Sequence, residues 1–435
     1  MDIDTLIHAR WIIPVEPDDK VYVNHSIAVN NGKILALLPT TTALEQFNAQ
    51  EEHHFDQHAL IPGLINAHTH AAMTLFRGLA DDLPLMQWLD DHIWPAEREW
   101  VGPEFVIDGT RLAIAEMLRS GTTCFNDMYF YPDHTAEIAS SIGIRAVIGL
   151  IMIDFPTTWA KDPDEYLFKG EQVHDTIKHD PLVRTAFAPH APYTVSDGPL
   201  QRIGVIAEEL DIQIHMHVHE TDAEITKSLE QYGKRPVQRL CDLGLFSSRL
   251  MAVHMTHLEQ GEIEKLSQFG VHVVHCPESN LKLASGFCPV KELVDRDINV
   301  ALGTDSAASN NDLDMFGEMR TAALLAKGVA RDSTCISAYT ALRMATINGA
   351  RALGMDNVTG SLTADKEADI VAIDLGTIST QPLYDPISQI VYAGNKQLVS
   401  SVWVAGKQLL RNHEFTNIDT EQLLRKAHAW QEKIC

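Results

Sequence analysis

Hydrophobic and polar positions divide the chain into a repeating middle and two ends that resemble each other. In the middle, short apolar runs recur at Leu64–His70, Thr122–Asp127, Arg145–Leu150, Thr185–His190, Gln213–Glu220, Arg249–Met255, His272–Pro277 and Asn299–Asp305. Runs of this length, bounded by turn residues, predict buried strands. Helical patterns with start and stop signals lie between them: from near Glu104 to Gly121, Asp133 to Gly143, Pro199 to Leu210, and Glu259 to Phe269 before Gly270. Eight strands alternating with helices predict an α/β fold, a (β/α)8 TIM barrel.

The ends lack that helical period. Thr5–Pro14 and Ser26–Pro39 are β-rich around an Asn30-Asn31-Gly32-Lys33 turn. Ala368–Leu375 and Leu398–Leu410 repeat the style around Ala405-Gly406-Lys407, and an amphipathic helix at Thr420–Ile434 closes the chain. The expected organisation is a small β-sandwich-like domain built from both ends, residues 1–60 and 363–435, flanking a barrel over 61–362.

Polar side chains that can bind metal stand at the ends of successive apolar runs: His70, Asp127, His190, Glu220, His254 with His257 nearby, Cys276 and Asp305. A barrel carries its chemistry at the C-terminal ends of its strands. His68 and His70, two apart on one strand, share a face and can reach one ion. His215, His217 and His219 share a face in the same way, and spacing alone does not choose among them. His217 is taken because it stands three residues before Glu220, deeper than His219. Asp305 completes a His3Asp set suited to a divalent ion with an open position, although Asp there also suits a helix cap. His254 is preferred to His257, which lies further out in the loop. Zn2+ is the expected metal; Fe2+ and Mn2+ tolerate the same ligands.

Composition narrows the partners. The 435 residues carry 34 Lys and Arg against 59 Asp and Glu, a formal charge of −25. That charge argues against binding a nucleic-acid duplex or an anionic membrane. A hydrophobic share of 45% supplies a large core and excludes disordered and collagen-like classes. The opening Met1–Arg10 is acidic where a signal peptide is basic, and no apolar run approaches a membrane span. The expected location is the cytoplasm, with the six scattered cysteines, including Cys435, reduced and mostly buried.

Four segments resemble the amidohydrolase superfamily: Pro62–His70, the His217-to-Glu220 spacing, His275–Leu283 and Gly303–Asn311. They are most similar to its cytosine-deaminase-like and chlorohydrolase-like branch, and within it to the 5-methylthioadenosine/S-adenosylhomocysteine deaminases. The resemblance runs from about Leu6 to about Lys407. It implies one divalent metal on His68, His70, His217 and Asp305, because the fourth run ends Ala188-Pro189-His190 without the Lys that bridges two metals in binuclear relatives. It further implies proton handling by Glu220, His254 and Asp305, nucleoside contact by His190, and ribose recognition by Glu97 at the end of Leu89–Glu97. Glu220 and Asp305 would also contact the substrate.

The implied reaction is hydrolytic deamination of an adenine nucleoside by a homo-oligomeric enzyme acting on a small molecule. Guanine, pterin or triazine substrates are the alternatives within the branch, and a non-catalytic metal-binding barrel is the alternative outside it. One departure bears on substrate. Relatives that use Arg for an amino-acid carboxylate place it soon after the third strand, and Gly149–Phe155 has none. That favours methylthioadenosine over S-adenosylhomocysteine, with Lys161, Lys169 or another subunit's Arg as substitutes.

Overall fold

The computed structural model describes residues 1–17 and 19–434. Four strands come first: β1 (Asp2–Ile12), β2 (Tyr22–Asn30), β3 (Lys33–Pro39) and β4 (Asn48–Pro62). Eight follow in the middle: β5 (Leu64–Thr69), β6 (Thr122–Asp127), β7 (Arg145–Met152), β8 (Val183–Pro189), β9 (Gln213–Val218), β10 (Leu250–His254), β11 (His272–His275) and β12 (Val300–Leu302). The last four are β13 (Ile370–Asp374), β14 (Val399–Val404), β15 (Lys407–Arg411) and β16 (Glu414–Phe415).

Strands β5 to β12 pair in sequence order, every pair parallel. A parallel bridge between Thr69 and Asp305 brings β5 beside the end of β12 and completes the barrel. The Asp305 N–H donates to the His68 carbonyl at 3.0 Å there. Below it, the Asn66 amide donates to Thr304 Oγ1 at 2.7 Å and accepts the Thr304 N–H at 3.0 Å. Gly303 permits this closure, since a Cβ there would lie 2.8 Å from His68 Cβ. The seam of the barrel therefore runs through the HxH pair and the Asp.

Helices Pro103–Arg119, Pro132–Ile142, Asp197–Leu210 and Gln260–Phe269 occupy the stretches their periodicity indicated. Several strands stop short of the apolar runs. β9 ends at Val218 and β12 at Leu302, so Glu220 and Asp305 stand in the first residues of the following loops. The backbone turns sharply there, with positive φ at His219 (55°), His254 (77°) and Asp305 (62°). This corrects one expectation. The positive φ takes His219 off the face that His215 and His217 share, because strand alternation holds only while the backbone stays extended.

The terminal strands form one continuous sheet in the order β16-β15-β14-β13-β4-β1-β2-β3. The long β4 joins its halves, parallel to β1 and antiparallel to β13. The sheet curls over a shared core that includes Ile7, Ile27, Ile34, Phe55, Ile370 and Trp403. Its two turns meet: a Cβ on Gly32, which sits at φ +76°, would lie 2.7 Å from the Ala405 carbonyl oxygen. Helix Thr420–Ile434 docks through buried Trp430, whose indole N–H donates to Asp108 at 3.0 Å.

One buried ion pair fastens this sheet to the barrel. Arg145, at the start of β7, donates to both oxygens of Asp369 at 2.9 and 3.1 Å and to Glu367 at 2.6 Å. Asp369 also accepts the Thr359 hydroxyl and the Ala405 N–H, each at 2.7 Å. Arg145→Met strands a buried carboxylate, and we expect a loss of about 3–5 kcal/mol, read as a lower urea midpoint. An unchanged midpoint would refute this role.

No helix among the described residues is long and apolar enough to cross a membrane. The described cysteines are free, with Cys124, Cys276 and Cys288 buried; Cys435 lies outside the described residues.

Candidate active site

At the C-terminal mouth of the barrel, His68, His70, His217 and Asp305 each offer a ligand atom, and these atoms lie within 4.8 Å of one another. Nε2 of His68 and of His70 each stand 3.3 Å from Asp305 Oδ1. His217 Nε2 is 3.2 Å from His68 Nε2.

The other nitrogen of each ring is already committed. His70 Nδ1 donates to the Met128 carbonyl at 2.6 Å, and His217 Nδ1 donates to the His190 carbonyl at 2.8 Å. A carbonyl only accepts, so both rings carry their proton on Nδ1 and turn an Nε2 lone pair inward. His68 Nδ1 meets His215 Nε2 at 2.8 Å and completes the pattern. His215 is thus the positioning partner of His68. Three lone pairs and a carboxylate converging in a buried space repel one another unless a cation sits among them. The residues therefore fit one divalent metal, with each ligand ring oriented from behind.

The carboxylate is oriented as well. Ser279 Oγ donates to Asp305 Oδ2 at 2.7 Å, and the Ser306 N–H donates to Oδ1 at 2.8 Å. The next residue, Asn280, donates its amide to His254 Nδ1 at 3.0 Å. Segment His275–Leu283 therefore serves the site through consecutive side chains that fix Asp305 and His254. The segment stands out in the sequence by resemblance, but the roles of Ser279 and Asn280 do not, since their partners lie 26 residues away.

His254 Nε2 faces Glu220 Oε2 at 3.8 Å. Burial pulls His254 down to about 3, so the ring is neutral at pH 7. Burial holds the Glu220 carboxyl well above the usual range, reinforced by Asp305 and Glu224, while nearby Ser285 pulls the other way. Glu224 clamps this turn by accepting the N–H groups of His219 (3.0 Å) and Glu220 (2.8 Å). The rival histidines face elsewhere. His219 Nδ1 meets the His257 carbonyl at 3.1 Å, and His257 lies between the Ser285 carbonyl (2.7 Å) and Asp222 (3.0 Å). Asp127 is structural, accepting the Ala71 N–H at 2.6 Å just beyond His70.

A cavity of about 530 Å³ opens over these groups, large enough for a drug-sized molecule. Its lining includes His70, His190, His217, Glu220, His254 and Asp305. Trp88, Trp94, Ile151, Ile153 and Phe155 supply apolar lining. Glu97, on helix Trp94–Trp100, joins that lining beside the buried Tyr129. Burial pushes Glu97 up to about 7, with the Tyr129 hydroxyl and His70 pulling down. His190 Nδ1 is held by Thr194 Oγ1 at 3.1 Å.

Arg98 also lines the cavity, the one Lys or Arg to do so among the described residues. It goes unassigned in the sequence because its neighbours there carry no pattern beyond Glu97. Lys161 and Lys169 do not reach the cavity; Lys169 is bound to the Trp159 carbonyl and Glu165.

Residues 59–409 match the Amidohydrolase family. The chain is 51% identical to the 5-methylthioadenosine/S-adenosylhomocysteine deaminase of Saccharophagus degradans, covering 99% of this chain and 97% of that one. It is 48% identical to the enzyme of the same name from Teredinibacter turnerae, over 99% and 98%. Among solved structures, an adenosine deaminase from Xanthomonas campestris with bound zinc superposes with a TM-score of 0.99 at 52% identity, covering 100% of this chain and 99% of that one. An atrazine chlorohydrolase from Arthrobacter aurescens, complexed with zinc, shares the fold at a TM-score of 0.92 and 23% identity, covering 98% and 99%.

Proposed function

The chain belongs to the amidohydrolase family, and we propose that it is a hydrolytic deaminase of adenine nucleosides, with 5′-methylthioadenosine the preferred substrate. The observation that carries this reading is a carboxylate, Glu97, in the lining of a cavity that also holds a metal set and an apolar wall. Glu97 can accept from a 2′- and a 3′-hydroxyl together. Ile151, Ile153 and Phe155 offer an uncharged thioether an apolar wall, while Arg98 is the one Lys or Arg of the lining, among the described residues, that an amino-acid carboxylate could use. Zinc in the similar adenosine deaminase supports zinc here.

His68, His70, His217 and Asp305 hold the metal, which when bound supplies Lewis acidity that lowers the pKa of water toward about 7. Glu220 and Asp305 take the two protons of the attacking water, one each, and Glu220 delivers its proton to N1 of the adenine ring. Protonation at N1 makes C6 electrophilic. The water oxygen bonds to C6, steadied by His254, and the C6–N6 bond breaks. Asp305 returns a proton to N6, so that ammonia leaves and the inosine analogue forms. His190 and Glu97 hold the nucleoside in place throughout.

The reading extends to a cytoplasmic homo-oligomer. The free thiols fit a reducing compartment, and light scattering of the purified protein reads the copy number.

Ammonia release from methylthioadenosine, S-adenosylhomocysteine, adenosine and guanine tests the substrate. We expect methylthioadenosine to give the highest kcat/KM. Glu97→Ala is expected to lower that value about 100-fold through loss of charged hydrogen bonds. Faster turnover of guanine, or a Glu97→Ala enzyme whose kcat/KM for methylthioadenosine is unchanged, would refute the reading.

A further inference from the structure

A second group of metal-competent side chains lies on the terminal sheet, outside the catalytic cavity: His8 on β1 with Glu52 and His54 on β4. Register accounts for the grouping. In the parallel β1–β4 pair, His8 stands opposite His54 and Leu6 opposite Glu52. Glu52 and His54, two apart on an extended strand, face the same way, toward His8. The His8 and His54 rings stack with centroids 4.6 Å apart. Glu52 Oε2 lies 3.6 Å from His54 Nε2 and 4.0 Å from His8 Nε2.

The tautomer of His8 gives the group a direction. Its Nδ1 meets Ser26 Oγ at 2.6 Å, and the Ser26 hydroxyl donates to Thr40 Oγ1 at 3.0 Å. That hydroxyl has a single hydrogen, so Ser26 accepts from His8, and the proton of the ring is on Nδ1. The Nε2 lone pair of His8 then points toward Glu52. It is buried, with the side chain 6% exposed, and has no hydrogen-bond partner among the described residues. A buried acceptor without a partner is costly unless something occupies its lone pair. The active-site rings use the same device, with Nδ1 committed behind and Nε2 facing a carboxylate and further imidazole.

We propose that His8, Glu52 and His54 form a second site for a divalent first-row transition ion of the zinc class. Imidazole suits Zn2+, Ni2+ and Cu2+, and a single carboxylate completes three ligands. Glu52 and His54 are 42% and 60% exposed, so water fills the remaining positions. The site binds more weakly than the four-ligand active site and fastens β1 to β4.

The test uses holoenzyme carrying its active-site zinc, dialysed against excess free Zn2+ and analysed for zinc per chain. We expect two equivalents in the wild type and one in the Glu52→Gln/His54→Ala double variant. Both substitutions are at exposed positions away from the catalytic cavity, so kcat/KM should be equal in the two proteins. Added zinc should raise the melting temperature of the wild-type holoenzyme and leave that of the double variant unmoved. A wild type that takes up no second equivalent, or a double variant that retains it, overturns the proposal. The count is independent of the proposed substrate.

Discussion

Glu220→Gln is expected to lower kcat about 1,000-fold while zinc content stays at one active-site ion per chain. Glutamine keeps the shape of the side chain but cannot take a proton from water and pass it to N1. The substitution leaves the metal set intact, because Glu220 is not among the four converging ligand groups. Its backbone is held independently, by the Glu224 carboxylate on its N–H and the Thr256 hydroxyl on its carbonyl at 2.8 Å. The turn should therefore survive. KM should change little, since the lost interaction belongs to the transition state. Ammonia release measured alongside metal analysis separates the two quantities, and near wild-type turnover in a metal-replete variant would remove Glu220 from the reaction.

The parts of this site legible in the sequence are those governed by local periodicity. His68 and His70 read as one face because β5 is extended through Thr69, and His217 is reachable from the same rule on β9. The rule fails where the backbone leaves the extended region. His219 looks equivalent to His215 and His217 in sequence, but the φ of 55° turns it toward the His257 carbonyl. The eight barrel strands are visible as apolar runs, whereas their ends are not, because runs continue into loops that stay buried at the mouth.

Interactions between distant segments carry no local signal. His215 behind His68 spans 147 residues, and Arg145 with Asp369 spans 224. The curl of the terminal sheet belongs to the same class, since the Gly32 and Ala405 turns meet only in three dimensions. Glu97 is reached through resemblance, not through pattern. Helix Trp94–Trp100 is only seven residues long, too short for a hydrophobic period to mark which face would meet the cavity.

Asp305→Asn is expected to strip the active site of its metal and to lower kcat by at least about 10⁴-fold. Asparagine is the informative replacement. Asp305 sits at φ 62°, a region that asparagine adopts more readily than alanine, so backbone strain is held nearly constant. The carboxamide oxygen can still accept from Ser279 or from the Ser306 N–H, and the Asp305–Thr69 bridge is made by backbone. What changes is charge. Asp305 is the one anion in a set whose other members are three imidazoles, and two of their Nε2 atoms stand 3.3 Å from its Oδ1. Removing that charge leaves neutral donors to hold a dication in a buried site. Millimolar zinc should refill the site by mass action, yet turnover should stay low, because a carboxamide cannot carry a proton to the departing nitrogen. The pair of variants then dissociates two functions: Glu220→Gln keeps metal and loses chemistry, while Asp305→Asn loses both and regains only metal. An Asp305→Asn enzyme that holds one ion per chain at low free zinc and turns over normally would refute both roles assigned to this carboxylate.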